Sequence, residues 1–328
     1  MISYNDMVYG LCEIKDMVFF ELVNCLAMRR LKDISQAGYC RPFIGQESFN
    51  RFEHSVGVYL LLSKFGASEE ERLAGLIHDV SHSAFSHCID YVLDEGCPKT
   101  QNHQDNIFKD FVLNTTIPDI LKGYGYDHER ILDESRFPLL EKELPNLCAD
   151  RIDYIFRSAL FLKGWWKSKE VLDILRDLRQ EEGYWFFSNQ TEAAAFANLF
   201  YSINQSYFCG LPTALMFNSV GEVLRHALKR GYLKEEDLYT TDQLVLNKIR
   251  DKIPHDEHLS ELYQRMNNKT PYHLGQEDYQ YQVFCKSRAV DPLFKDGDKF
   301  YRLTQVDLDY RAKFNQALSP REFFISYQ

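Results

Sequence analysis

Four of the ten histidines, His54, His78, His82 and His87, fall within 34 residues, and helical-spaced apolar sequence separates the first from the other three. The two clusters read Arg51-Phe52-Glu53-His54 and Ile77-His78-Asp79-Val80-Ser81-His82-Ser83-Ala84-Phe85-Ser86-His87. Burying so many imidazoles and carboxylates is costly unless they share partners. Any fold must therefore pack the intervening helices so that these groups meet. Neutral imidazole binds first-row divalent ions well, and a carboxylate lowers the charge of the site while leaving positions for water or phosphate oxygens. His54 and the adjacent His78-Asp79 supply three ligands. The best candidate for a fourth is Asp150, in Leu147-Cys148-Ala149-Asp150-Arg151-Ile152-Asp153-Tyr154, where an apolar helix resumes.

The rest of the pattern is mainly helical. Apolar residues at helical spacing predict helices over 16–35 and 52–65, and Ser68 followed by three glutamates predicts a helix start. Further helices are expected over 84–94, 101–113, 137–162, 168–181, 190–208, 213–229, 241–252 and 257–267. Strands are expected at 183–187, 279–285 and 299–306. The expected fold class is all-α with a few short peripheral strands. Residues 1–235 are expected to form the core with a helical extension, and 236–328 a mixed helical and strand subdomain packed on it.

Composition narrows the function. A chain of 328 residues with 45% hydrophobic content can bury a substantial core, and a net charge of −10 argues against an extended nucleic-acid surface. Eight cysteines without a CxxC pair suit a reducing compartment. The first twenty residues lack a basic region followed by an apolar core, and no long apolar run occurs. A cytoplasmic protein without a membrane partner is the expectation.

The ordered set His54, His78-Asp79 and Asp150 resembles the H…HD…D signature of HD-domain metal-dependent phosphohydrolases. More narrowly, RFEHSVGV, HDVSHSAFSH and ADRIDYIFR are similar to the branch of deoxynucleoside triphosphate triphosphohydrolases (dGTPase-like and SAM-and-HD-domain enzymes), over about residues 8–165. The resemblance implies one divalent metal ion on His54, His78, Asp79 and Asp150, whether Mn, Fe, Mg, Zn, Ni or Co. It implies that His82 and His103 line the phosphate side, and that His87 and Asp90 form an imidazole-carboxylate pair assisting the leaving oxygen. Arg51 and Arg151 are expected to face phosphate oxygens, Tyr154 to contact substrate, and Gln36 to recognise the sugar. Relatives often assemble as homo-oligomers.

Two departures bear on the substrate. Ser158 stands where the relatives carry a sugar-contacting aspartate, and the position of Arg151 is usually lysine. Triphosphate-handling relatives also place Arg, His and Lys on a later helix, whereas residues 180–224 contain no Lys or Arg. The resemblance thus favours a nucleotide, most of all a (deoxy)nucleoside triphosphate, as the small-molecule partner. The missing charge favours a nucleoside monophosphate or another small phosphoester. A non-catalytic nucleotide- or metal-binding module is the alternative from a different class.

Overall fold

The computed structural model describes residues 2–328 except 94, 95, 163 and 165. A hairpin of β1 (Ile2–Asp6) and β2 (Gly10–Ile14) leads into α1 (Met17–Asn24) and α2 (Leu26–Arg30). The helix expected over 16–35 is broken at Cys25, whose backbone is extended, and a 3-10 turn follows at Leu31–Asp33. Both pieces bury their apolar faces, through Leu22 and Met28.

After the short α3 (Arg41–Ile44), α4 (Arg51–Lys64) starts at Asn50, whose side chain accepts from the Glu53 N–H while the Glu53 carboxylate accepts from the Asn50 N–H. That reciprocal cap fixes where the helix begins, and so where His54 lies. Ser68 caps α5 (Glu69–Ile77) as expected. Gly75 lets α5 close on α4: a Cβ there would lie 2.6 Å from Leu62 Cδ1.

The helix expected over 84–94 does not form. Phe85 and Ser86 take φ of +59° and +49°, leaving the right-handed region, and Ser86–Tyr91 is a 3-10 turn. The last residue of that expectation, Asp94, lies outside the described residues. Then come α6 (His103–Leu113), α7 (Ile117–Gly123) and α8 (His128–Ile131). Of the helix expected over 137–162 only α9 (Ala149–Phe161) is present, because Pro138 and Pro145 interrupt the approach.

The second half adds α10 (Ser168–Asp177), the hairpin β3 (Leu178–Glu181) and β4 (Tyr184–Phe187), and α11 (Gln190–Ile203) running into a π turn at Asn204–Phe208. Next are α12 (Leu211–Lys229), α13 (Asp242–Arg250), α14 (Glu257–Met266), β5 (Tyr272–Leu274), β6 (Tyr281–Cys285), β7 (Leu293–Asp296), β8 (Lys299–Arg302), α15 (Leu303–Val306), α16 (Leu308–Ala317) and β9 (Arg321–Tyr327). The helix expected over 168–181 gives way at Leu178 to β3, and the strand over 299–306 turns into α15. Helix makes up 55% of the chain, with small sheets ordered β1-β2, β3-β4-β7-β8 and β5-β9-β6, a mainly helical fold with peripheral strands.

Among the described residues two large hydrophobic cores result, beside a small cluster of Ala197, Leu303 and Tyr310. The first joins α1, α4, α5 and α9 to α10 and α11, through residues such as Leu61, Leu76, Ile155 and Phe196. The second gathers Phe85, Cys88, Met216, Leu224, Leu246, Leu262, Val283 and Ile325 around α12, and so draws on both sides of residue 235. Asp242 ties the second core to the first half of the chain, accepting from the Ser35 N–H at 2.9 Å and the Phe85 N–H at 2.7 Å. No helix of the described residues is long and apolar enough to cross a membrane.

Candidate metal centre and adjoining cavity

His54 lies on the first turn of α4, His78 and Asp79 just past the end of α5, and Asp150 on the first turn of α9, where the helix dipole favours a carboxylate. Each imidazole has one nitrogen tied back into the protein. His54 Nδ1 lies 2.7 Å from Asp153 Oδ2, and His78 Nδ1 lies 2.8 Å from the Gly75 carbonyl oxygen. Because both partners are acceptors, both Nδ1 atoms donate and both Nε2 atoms carry lone pairs.

Those lone pairs face the same carboxylates. His54 Nε2 is 2.9 Å from Asp150 Oδ1 and 3.7 Å from Asp79 Oδ2; His78 Nε2 is 3.5 Å from Asp150 Oδ1 and from Asp79 Oδ1. Ligand atoms of His54, His78 and Asp150 all lie within 4.8 Å of one another, and His78 Nε2 is buried with no hydrogen-bond partner. Metal–ligand bonds of about 2.0–2.2 Å place neighbouring ligand atoms roughly 3–3.5 Å apart, so the spacing fits a shared cation. The electrostatics favour positive charge at this spot, a proton on each Nε2 when no ion is there and a cation in its place when one is. Burial opposes charge on both rings, yet Asp150 and Asp153 raise the pKa of His54, and Asp79 with Asp150 raises that of His78 to about 10. Burial would also raise Asp79, but Arg51, His78 and His82 hold it well below the ordinary carboxylate range.

A buried network stands behind His54. Asp153 accepts from His54, from the Tyr9 hydroxyl at 2.9 Å and from Arg157 at 3.0 and 2.9 Å, and Arg157 also donates to Asp6 in the β1–β2 hairpin. Gly57 makes room for it, since a Cβ there would lie 2.0 Å from Arg157 Nη2 and 2.2 Å from Asp153 Oδ1.

In front of the centre is a polar cavity of about 310 Å³. His78, Asp79 and Asp150 line it, as do His82, His87, Arg51, Arg151, Gln36 and Tyr154. His82 Nε2 lies 3.3 Å from Asp79 Oδ1, and the His87 ring packs edge-on against His82. His87 Nδ1 is 3.2 Å from Asp90 Oδ2. Burial lowers the pKa of both rings, against the pull of Asp79 on His82 and Asp90 on His87.

Three placements differ from expectation. His103 does not line the cavity: Asp90 caps its backbone N–H at the start of α6, and its Nε2 turns to the Tyr239 hydroxyl at 2.9 Å. Arg51 does, but its Nη1 lies 2.6 Å from Asp79, its Nε donates to Ser86 Oγ and its Nη2 to the Gln36 carbonyl oxygen, so its donors are already engaged. Arg151 is likewise drawn to Glu141, at 2.6 Å. Both guanidinium groups were expected to face phosphate; the buried Asp79 and the partly exposed Glu141 pair with them in this structure.

An aromatic pocket shares a wall with this cavity. Gln36, Arg51, His87, Gln101, Tyr154 and Arg288 line both, while Cys40, Tyr207, Phe208, Thr213 and Phe217 line the pocket alone. Gln36 Oε1 and the Tyr154 hydroxyl are buried there without hydrogen-bond partners. Ser158, where the relatives' aspartate falls, is buried and lines neither. The polar cavity also contains Asp105, Glu134, Glu141 and Lys286, which, like Arg288, sequence reasoning missed. They sit on separate loops and helix ends without a recurring spacing. The one local signal is the alternation Lys286-Ser287-Arg288 directly after a strand.

The HD domain profile matches residues 51–157, the segment that contains His54, His78, Asp79 and Asp150. The chain is 35% identical to an uncharacterized protein of Bacillus subtilis, YdhJ, over 92% of this chain and 91% of that one. It is 35% identical to a metal-dependent phosphohydrolase of Cordyceps militaris over 48% of this chain and 45% of the relative. The chain belongs to the HD-domain phosphohydrolases. A deoxynucleoside triphosphate triphosphohydrolase SAMHD1 homolog of Dictyostelium discoideum is 32% identical over 48% of this chain, a match that spans 36% of the relative's length. A hypothetical protein from Aquifex aeolicus shares the fold of this HD-domain chain, with a TM-score of 0.75 at 16% identity over 99% of this chain and 96% of that one. HD-domain proteins of this kind are metal-dependent hydrolases, and the His/Asp group described above is the corresponding group here.

Proposed function

We propose that this protein hydrolyses a phosphate ester or anhydride bond of a nucleotide, using one divalent ion held by His54, His78, Asp79 and Asp150. The observation that carries this reading is a pairing: a centre of lone pairs and carboxylates opens into a polar cavity that abuts an aromatic pocket with unpartnered polar atoms. A phosphate suits the first space and a nucleoside the second. The likeness to the Cordyceps and Dictyostelium proteins supports the same class.

The ion, when bound, would polarise a phosphoryl oxygen and lower the pKa of a bound water. The chain's own residues do the rest. His87, holding its Nδ1 proton on Asp90, has Nε2 for the cavity its ring lines. It accepts a proton there from the attacking water and returns it to the leaving oxygen. Asp90 orients the ring and stabilises its protonated form. His82 contacts a non-bridging oxygen. Arg51 acts by fixing Asp79, and His103 by tying Asp90, through its backbone N–H, to the Tyr239 hydroxyl. The Tyr154 hydroxyl and Gln36 Oε1 bond the sugar, which would satisfy both atoms.

Nucleoside mono-, di- and triphosphates assayed with Mn, Mg, Co and Fe, with product analysis, test the proposal. Turnover of at least one nucleotide is expected, and it should drop on the order of 10³-fold, together with metal content, in Asp150→Asn. A metal-loaded protein that turns over no nucleotide, yet is thermally stabilised by one, would favour a binding module instead.

A further inference from the structure

Residues 180–224 provide no Lys or Arg, and the two arginines of the HD segment that line the cavity, Arg51 and Arg151, are paired with Asp79 and Glu141. Positive charge reaches the cavity from elsewhere. Lys286 and Arg288, on the segment leaving β6, both line it, and among the described residues neither side chain has an ion pair or a hydrogen bond. A half-buried cation without a partner is costly, and an anion from solution would relieve that cost.

The segment is held firmly. Cys285 is paired with Arg321 across β6 and β9, and Ala289 and Val290 are buried. Between them Asn204, in the π turn after α11, donates to Ser287 Oγ at 2.9 Å and accepts from the Arg288 N–H at 3.1 Å. Ser287 is thus pinned to the protein, while its two neighbours line the cavity, as alternate residues of an extended chain do. Their positions are graded. Arg288 lines both the aromatic pocket and the polar cavity, and Lys286 the polar cavity alone.

We infer that Lys286 and Arg288 form an anion-binding wall for the phosphates beyond the one attacked, so that the site selects a nucleoside di- or triphosphate over a monophosphate. The inference rests on the reading of this site as a nucleotide phosphohydrolase and supplies the charge its sequence lacks on the later helix. A nucleoside in the aromatic pocket places its first phosphate beside Arg288, and the chain then runs toward Lys286. Asp105 and Glu134 share this cavity, with burial pushing their pKa values up to about 6 and about 7. These carboxyls oppose a bare polyanion, so the phosphate chain enters with its Mg2+.

Binding of inorganic tripolyphosphate and of orthophosphate, each with Mg2+, is measured by calorimetry on the full chain and on Lys286→Met, Arg288→Met and the double variant. Tripolyphosphate should weaken about ten- to a hundredfold in each single variant, orthophosphate by less than about threefold, and Lys286→Arg should restore most of the loss. Unchanged metal content and a thermal midpoint no lower than wild type show that the fold is retained. Unaltered tripolyphosphate binding in the double variant would overturn the inference. So would a parallel loss of orthophosphate, which would put both residues on the reacting phosphate. If the wild type hydrolyses no nucleotide, the proposed activity fails, while the tripolyphosphate measurement still reads the wall.

Discussion

The two sides of the cavity are built on opposite principles. On the side made by α4, α5 and α9, the charges behind the centre are paired within the protein: Arg51 with Asp79, Arg151 with Glu141, Asp153 with Arg157 and His54. On the wall made by Gln36, Lys286 and Arg288, with Tyr154 reaching over from α9, polar groups are left open: among the described residues Gln36 Oε1 and the Tyr154 hydroxyl have no hydrogen-bond partner, and Lys286 and Arg288 make no ion pair. The difference separates two tasks. A centre that must hold an ion in one geometry gains from a rigid, internally compensated scaffold. A surface that must take up and release an anionic molecule gains from groups whose bonding is completed only by that molecule.

The largest expected effect breaks the compensated side. Asp153 is fully buried and joins His54, Tyr9 and Arg157, so Asp153→Ala leaves the buried Arg157 guanidinium with Asp6 alone and frees the imidazole. Loss of about 3–5 kcal/mol in urea unfolding is expected. Asp153→Asn, milder in stability, should still weaken metal affinity about ten- to a hundredfold, because it disturbs the proton held on His54 Nδ1. Wild-type metal affinity in Asp153→Asn would show that Asp153 serves the fold alone.

That asymmetry also decides what could be read without coordinates. The compensated side lies in contiguous stretches, where the helix cap at Ser68 and the ordered set His54, His78, Asp79 and Asp150 were legible, while the cap at Asn50 was not read. The open side is assembled from the loop at Gln36, Tyr154 on α9 and the strand exit at Lys286 and Arg288, far apart in sequence; the first two were named through the resemblance, and no local pattern marks the last two, whose segment the π turn holds in place. His103 shows the intermediate case. Its position in the sequence was suggestive, but the rotation of its ring toward Tyr239 depends on a loop 136 residues away. The break at Phe85 was illegible for a similar reason: its left-handed backbone is held by Asp242 from the second core.

Asp242 joins the two sides, and removing it should affect them unequally. Asp242→Ala leaves the Ser35 and Phe85 N–H groups without acceptors, at a cost of about 1–3 kcal/mol each before water or relaxation offsets part of it. Gln36 follows Ser35 directly, and His87 lies two residues past Phe85. The Michaelis constant should therefore rise about tenfold, while metal affinity, which rests on α4, α5 and α9, stays near wild type. An equal fall in metal affinity would show that the two sides are mechanically one.

The smallest effect is a pH dependence confined to the open side. Burial, with Arg288 and Arg151 adding and Asp105 and Asp90 opposing, pushes Lys286 down to about 8. Because the folded pKa lies below the unfolded value near 10.5, charge on Lys286 costs stability: that stability is present above 10.5 and lost as pH falls through 8. Anion binding runs the other way, since it needs the protonated amine. Tripolyphosphate affinity should thus fall as pH rises above about 8, by up to about tenfold per unit. The phosphates are already ionised there, so they add no trend of opposite sign. Lys286→Met should flatten the alkaline limb and leave orthophosphate binding unaltered. A limb that survives in Lys286→Met would assign the titration to another group and leave Arg288 as the principal charge of the open side.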